Sequence, residues 1–173
     1  MSIHQLKVTL ATIAPPIWRR LHVCSEATLA ELHLVLQNAM GWEDYHLHFF
    51  EVGWTRYGGG EGRDETAVTL GGVLPREGDR MMYRYDFGDN WDHIIDVQKI
   101  HRPHSGTTYP RCSAGRRACP PEDCGGPYGY VDTLKALRAR KGPRYREIRE
   151  SLNGSYNPEA FDLPTVNKEL AEL

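Results

Sequence analysis

The chain is short of long apolar runs, of cysteine and of any dominant charge. No stretch reaches the roughly 20 consecutive apolar residues that a membrane helix needs, so a spanning segment is excluded. The start, "MSIHQLKVTLATI", lacks the basic segment and uninterrupted apolar core of a secretory signal, which points to the cytoplasm. There the four cysteines stay reduced, and a structural disulfide is not expected. A formal net charge of −2 excludes whole-molecule attraction to nucleic acid or to an anionic membrane, leaving only local patches. Repeats and composition breaks are absent too. Residues 1–173 therefore read as one domain, long enough to build a core without covalent staples.

What is present is a run of alternating segments. "IHQLKVTLATI" (3–13) and "IWRRLHV" (17–23) read as strands separated by Ala14-Pro15-Pro16. In "SEATLAELHLVLQNAMG", Thr28 and Glu31 have capping-box spacing, Leu29, Leu32, Leu36 and Ala39 share a helical face, and Gly41 stops the run. A helix over 28–40 follows. "YHLHFFEVGW" (45–54) reads as a strand, "YGGGEGRDE" (57–65) as a loop, and "VTLGGVL" (68–74) as at most one helical turn. "RMMYRYDF" (80–87) and "WDHIIDVQKI" (91–100) form a hairpin around Gly88-Asp89-Asn90. Residues 101–127 read as a long connection, of the kind that is held by something or used for something. Helices are expected over 130–141, 143–153 and 163–173, the last with Pro164 in its first turn. The order β-β-α-β-β-β followed by helices predicts an α+β fold: a mostly antiparallel sheet with C-terminal helices packed beside it.

Four stretches, "IAPPIWRRLHV", "HLHFFEV", "YRYDFGDNWDH" and "CSAGRRACPPEDCGGPYGY", together resemble the plasmid Ri ORF-3-like family. Its members include passenger proteins of insertion elements. The resemblance runs from about Ile3 to Phe161. It implies an α+β domain encoded by plasmid or mobile-element-type genes, and it implies no specific activity.

The chemistry-bearing residues fall into four groups. Cys112, Cys119 and Cys124 lie in one loop at C-x6-C-x4-C spacing, with glycines for tight turns. Three thiols plus His93, His101 or His104 would make a structural zinc site. The spacing is not the paired C-x2-C knuckle, however, and Cys112 and Cys119 are equally explained as small core residues, as is Cys24. Pro120-Pro121-Glu122-Asp123 reads as a first helical turn that would lower the pKa of Cys124. A nucleophilic thiol would need a base such as His93 or His48.

The second group is "DFGDNWDH", which crowds Asp86, Asp89 and His93 onto one hairpin beside Trp91. Carboxylates with imidazole suit a divalent metal or acid–base chemistry. Aspartates at a hairpin turn also cap their own backbone without any further role. The third is His46 and His48, which share a face if 45–54 is extended, a common geometry for two metal ligands and also for two partly buried histidines. The expected ligand pocket joins His46, His48, Asp86, Asp89 and His93, with Trp91 as an apolar wall. The fourth is "LKALRARKGPRYREIRE" (134–150), whose Lys135, Arg138, Arg140, Arg144 and Arg149 would meet phosphates. A solvated helix face is the plainer account.

Three functions compete on these residues. The favoured one is a binding or interaction module with one zinc. The alternatives are a metal-dependent hydrolase or nuclease, and a nucleic-acid-binding accessory protein of a mobile element.

Overall fold

A computed structural model describes all residues, 1–173. The elements are β1 (Ile3–Leu10), β2 (Trp18–Cys24), α1 (Leu29–Met40), β3 (His48–Val52), β4 (Thr55–Gly58), α2 (Leu70–Val73), β5 (Arg80–Tyr85), β6 (Trp91–His101), β7 (Arg111–Arg116), α3 (Gly126–Ala139), α4 (Pro143–Ser151) and α5 (Leu163–Leu170). The seven strands form one sheet in the order β4-β3-β5-β6-β1-β2-β7, and every pairing is antiparallel. The fold is α+β, with one early helix and the remaining long helices after the last strand.

Strand alternation puts Leu6, Val8 and Leu10 of β1, Leu21 and Val23 of β2, and Ile95 and Val97 of β6 on the covered face. The opposite face carries a solvated ladder of cross-strand polar pairs, among them Arg80–Asp96 and Arg84–Asp92, each at 2.6 Å. Exposed pairs of this kind add little stability, so the fold rests on the covered face. There α1 lies with Leu29, Leu32 and Leu36 wholly buried. Its start is the expected capping box: the Thr28 hydroxyl accepts from the Glu31 N–H at 3.1 Å, and the Glu31 carboxylate accepts from the Thr28 N–H at 2.7 Å. It ends at Gly41 with φ +98°, a left-handed conformation that glycine adopts without a Cβ clash.

Two strands lie where the sequence reads as loop. β4 (from Thr55) turns back from β3 and runs into the glycine-rich segment read as loop, and β7 pairs with β2 inside the long connection. β7 is an edge strand, and α5 covers it. The Asn167 side chain accepts from the Cys112 N–H at 2.8 Å and donates to the Cys112 carbonyl at 2.9 Å. One amide thus satisfies both backbone groups of an edge residue.

The helices after β7 start and stop within a few residues of expectation, except that α3 begins at Gly126. Residues 120–124 are not helical. The approach of α3 to the β5–β6 turn fixes this geometry. Gly126 has φ +67°, and a Cβ there would sit 2.6 Å from the Asp89 carbonyl oxygen. The Gly125 N–H donates to the Asp89 carboxylate at 3.1 Å. The loop carrying Glu122 and Asp123 is thereby held against the hairpin that carries Asp86.

Candidate metal centre

The strand alternation of β5 stops at Tyr85. Asp86 has φ +61°, a left-handed conformation that Asp and Asn tolerate better than most residues. Its side chain turns inward, 7% exposed, while Phe87 faces out. The Asp86 Oδ1 accepts from the Gly88 N–H at 2.8 Å and from the Asp89 N–H at 3.2 Å. That leaves Oδ2 facing His46.

His46 lies before β3 rather than in it, and its Nε2 is the meeting point of three carboxylates from two further segments. Asp123 Oδ1 is 3.0 Å away, Asp86 Oδ2 3.7 Å and Glu122 Oε2 3.9 Å. Glu122 is held like Asp86, by one oxygen: Oε1 accepts from the Glu43 N–H at 2.8 Å and from the Tyr85 hydroxyl at 3.0 Å. Burial, and then the bond to Glu122, push the Tyr85 phenol well up. The remaining Glu122 Oε2 is buried with no hydrogen-bond partner, and so is His46 Nε2, since Asp123 lies close to it without the alignment of a hydrogen bond. Buried polar atoms in folded proteins are normally satisfied. Here two unsatisfied atoms lie 3.9 Å apart, and Asp86 Oδ2 is turned toward His46 as well.

Four-coordinate zinc with bonds of about 2.0–2.1 Å separates its ligand atoms by about 3.3 Å. The three spacings around His46 Nε2 bracket that value, and the donor atoms of His46, Asp86 and Asp123 all lie within 4.8 Å of one another. That donor set, one imidazole and two carboxylates, suits a divalent transition ion, and Glu122 Oε2, 3.9 Å from His46 Nε2, lies beside the group rather than in it. A cleft of about 260 Å³ opens beside it, lined in part by Glu122, Asp123, Cys124, Thr133 and Ser151.

The other expected site residues lie elsewhere. His48 starts β3 and points into a second group. Its Nε2 meets the Glu65 carboxylate at 3.0 Å, and its ring stacks on His33, centroids 3.5 Å apart and planes 7° from parallel. His33 in turn meets Asp44 at 2.8 Å. The Asp44 N–H fixes the Gln37 amide, whose nitrogen donates to the Tyr83 hydroxyl; that hydroxyl then donates to His33 Nδ1. His33, Asp44 and His48 bring ligand atoms together. Stacked rings, however, aim their in-plane lone pairs along separate parallel planes, and one ion at about 2.1 Å cannot lie in both.

His93 is fully buried in the core. Nδ1 donates to the Tyr83 carbonyl at 3.2 Å, and Nε2 accepts from the Trp42 indole at 3.2 Å, which fixes one neutral tautomer. Trp91 is buried too, against the Trp42 ring that meets His93, with ring centroids 5.6 Å apart. Asp89 serves the Gly125 N–H. The single pocket expected to unite His46, His48, Asp86, Asp89 and His93 is therefore divided: His46 and Asp86 meet, His48 belongs to the stacked pair, and His93 is packed away.

The cysteines are all free thiols, and none belongs to a group of three converging metal-ligating atoms. Cys112 and Cys119 are buried, Cys24 and Cys124 half-buried. Cys112 donates to the Ala114 carbonyl. Burial, and then Asp89, push the Cys124 thiol up to about 12, the reverse of the lowering that a helical turn at 120–123 would bring. Residues Glu122 and Asp123 were visible in the sequence only as that turn. Their role depends on the docking of α3, which no local pattern reports.

The fold and this cluster define an α+β protein with one solvated sheet face and a histidine–carboxylate site at the end of the β5–β6 hairpin. The model of the plasmid pRiA4b ORF-3-like protein family matches residues 2–165, and the chain belongs to that family. It is 36% identical over 180 residues to uncharacterized protein y4hQ of Sinorhizobium fredii, covering 99% of this chain and 92% of that one. The crystal structure of MM3350, a protein of unknown function from Methanosarcina mazei Go1, is similar with a TM-score of 0.87 and 34% identity, over 94% of this chain and 96% of that one. No helix here is long and apolar enough to cross a membrane.

Proposed function

We propose that the protein is a metal-dependent binding module that holds a divalent transition ion of the zinc class through His46, Asp86 and Asp123, with the Glu122 carboxylate beside them. The observation that carries this is the convergence of the buried, unsatisfied His46 Nε2 with oxygens of Asp86 and Asp123, next to a second buried, unsatisfied atom, Glu122 Oε2, whose partner oxygen is already fixed. Without a cation, three carboxylates would repel one another around a single imidazole. The Glu122–Asp123 side faces the adjoining cleft, which supports an exchangeable ligand on the ion rather than a closed structural site.

The test is calorimetric titration of chelator-treated protein with zinc and with manganese, on wild type and on Asp123→Asn. Binding of one ion per chain, weakened at least tenfold in the variant, is expected. Equal binding by the variant, or no uptake by folded wild type, would overturn the reading.

A further inference from the structure

A second cluster lies away from this centre, between α3 and α4. Arg138 lies in the last turn of α3, Arg140 caps it and Arg149 lies in the last turn of α4; all three line a cleft of about 710 Å³ together with Tyr145, Tyr156 and Glu159. The arginines of this helix pair are not equivalent. Arg144 is spent on Asp132 at 2.8 Å and Glu147 at 3.1 Å, and it does not line the cleft. Arg138, Arg140 and Arg149 have no carboxylate within ion-pair distance. The one acid in the cleft wall, Glu159, accepts from Arg117 at 3.1 Å, whose side chain is only 1% exposed. Its charge is balanced from behind, so the cleft keeps three uncompensated guanidinium groups.

We infer that this cleft binds a phosphate group carried beside a planar base, the chemistry shared by free nucleotides and nucleic-acid strands. Guanidinium forks match phosphate oxygens in pairs, and the volume falls in the range that encloses a small organic ligand. Arg149 already lies over the Tyr145 ring, 5.9 Å from its centroid, which gives a flat cationic and aromatic surface of the kind on which bases stack. Arg140 takes φ +54° at the end of α3, turning the chain there so that the next helix folds back and brings Arg149 opposite.

The full chain is titrated with adenosine monophosphate by calorimetry and with a labelled single-stranded oligonucleotide by anisotropy, both with EDTA present so that the metal centre plays no part. Binding of at least one probe is expected. It should fall at least tenfold in Arg138→Ala/Arg149→Ala and stay unchanged in Arg144→Ala, all three proteins sharing one thermal midpoint. If the oligonucleotide binds, loss of two contacts should also flatten the log–log salt dependence by about 1.4, roughly 0.7 per phosphate. Tight mononucleotide binding marks a small-molecule source, and binding of the strand alone marks a polymer. No binding of either probe up to about 1 mM, or equal binding by the double variant, would overturn the inference. Should the double variant unfold, Arg140→Gln alone carries the same expectation of weakened binding.

Discussion

His33 and His48 lie face to face, ring planes 7° from parallel, each with a carboxylate at its outer nitrogen. Two imidazolium ions could not hold this stack without strong repulsion. Burial lowers the His33 pKa from 6.5, and His48 lowers it further. Replacing His48 by Gln removes that second contribution, so His33 should titrate at higher pH, as followed through its ring proton by NMR. An unmoved or lowered titration would show the stack to be uncoupled.

His93 makes the fold acid-sensitive. Burial drops its pKa to about 4, against about 6.5 in the unfolded chain. Between these values the unfolded state binds more protons, so stability rises with pH across the window and is lost as pH falls from about 6.5 toward 4. The full difference is worth about 3 kcal/mol. His93→Gln keeps an acceptor for Trp42 without titrating. Denaturant unfolding between pH 4 and 7 should show a shallower pH dependence in that variant, and parallel curves would refute the assignment.

Asp86 has a turn role and, in the proposed site, a metal role, and two substitutions separate them. Asp86→Asn keeps an acceptor for the Gly88 and Asp89 N–H groups and tolerates positive φ, so it should fold as the wild type does. At a metal concentration of about 100 times Kd, wild type gains about 2.7 kcal/mol, on the order of 5–10 °C in Tm. The Asn variant should lose most of that shift. Asp86→Ala loses the turn as well and should be about 1–3 kcal/mol less stable even without metal. Equal metal-induced shifts in the wild type and Asp86→Asn would leave Asp86 a turn residue only.

The thiols should be inert. Burial raises the pKa of Cys112, Cys119 and Cys124 alike, and the thiolate is the reactive form. Iodoacetamide at pH 8 should modify these three slowly in native protein and completely in denaturant, as read by mass spectrometry. Rapid native labelling of any of them would contradict their placement.

Much of the fold is legible in the sequence because its signals are local. Thr28, Glu31 and Gly41 mark both ends of α1, and alternation marks β1, β2, β5 and β6. β4 and β7 escape because "TRYG" and "RCSAGR" carry no apolar alternation; their partners in β3 and β2 make them strands. The candidate site divides in the same way. His46 and Asp86 stand out as residue types near a turn, whereas Glu122 and Asp123 matter only because Gly126 lets α3 approach Asp89. His48 and His93 draw attention for their chemistry, and tertiary packing then spends them on a stack and on the core.

The amide of Asn167 occupies the β7 edge of the sheet at Cys112, where the backbone would otherwise be open to recruitment. An edge strand with free N–H and C=O groups is a template for a neighbouring chain, and at Cys112 that template is already occupied from within. Because the blocking group sits on α5, after every strand in the chain, the protection arrives only once residue 167 has been made. A chain released before residue 167 would carry all seven strands and an unguarded border. Its expected fate is strand-to-strand self-association along β7, so α5 would guard that edge as well as pack against the core.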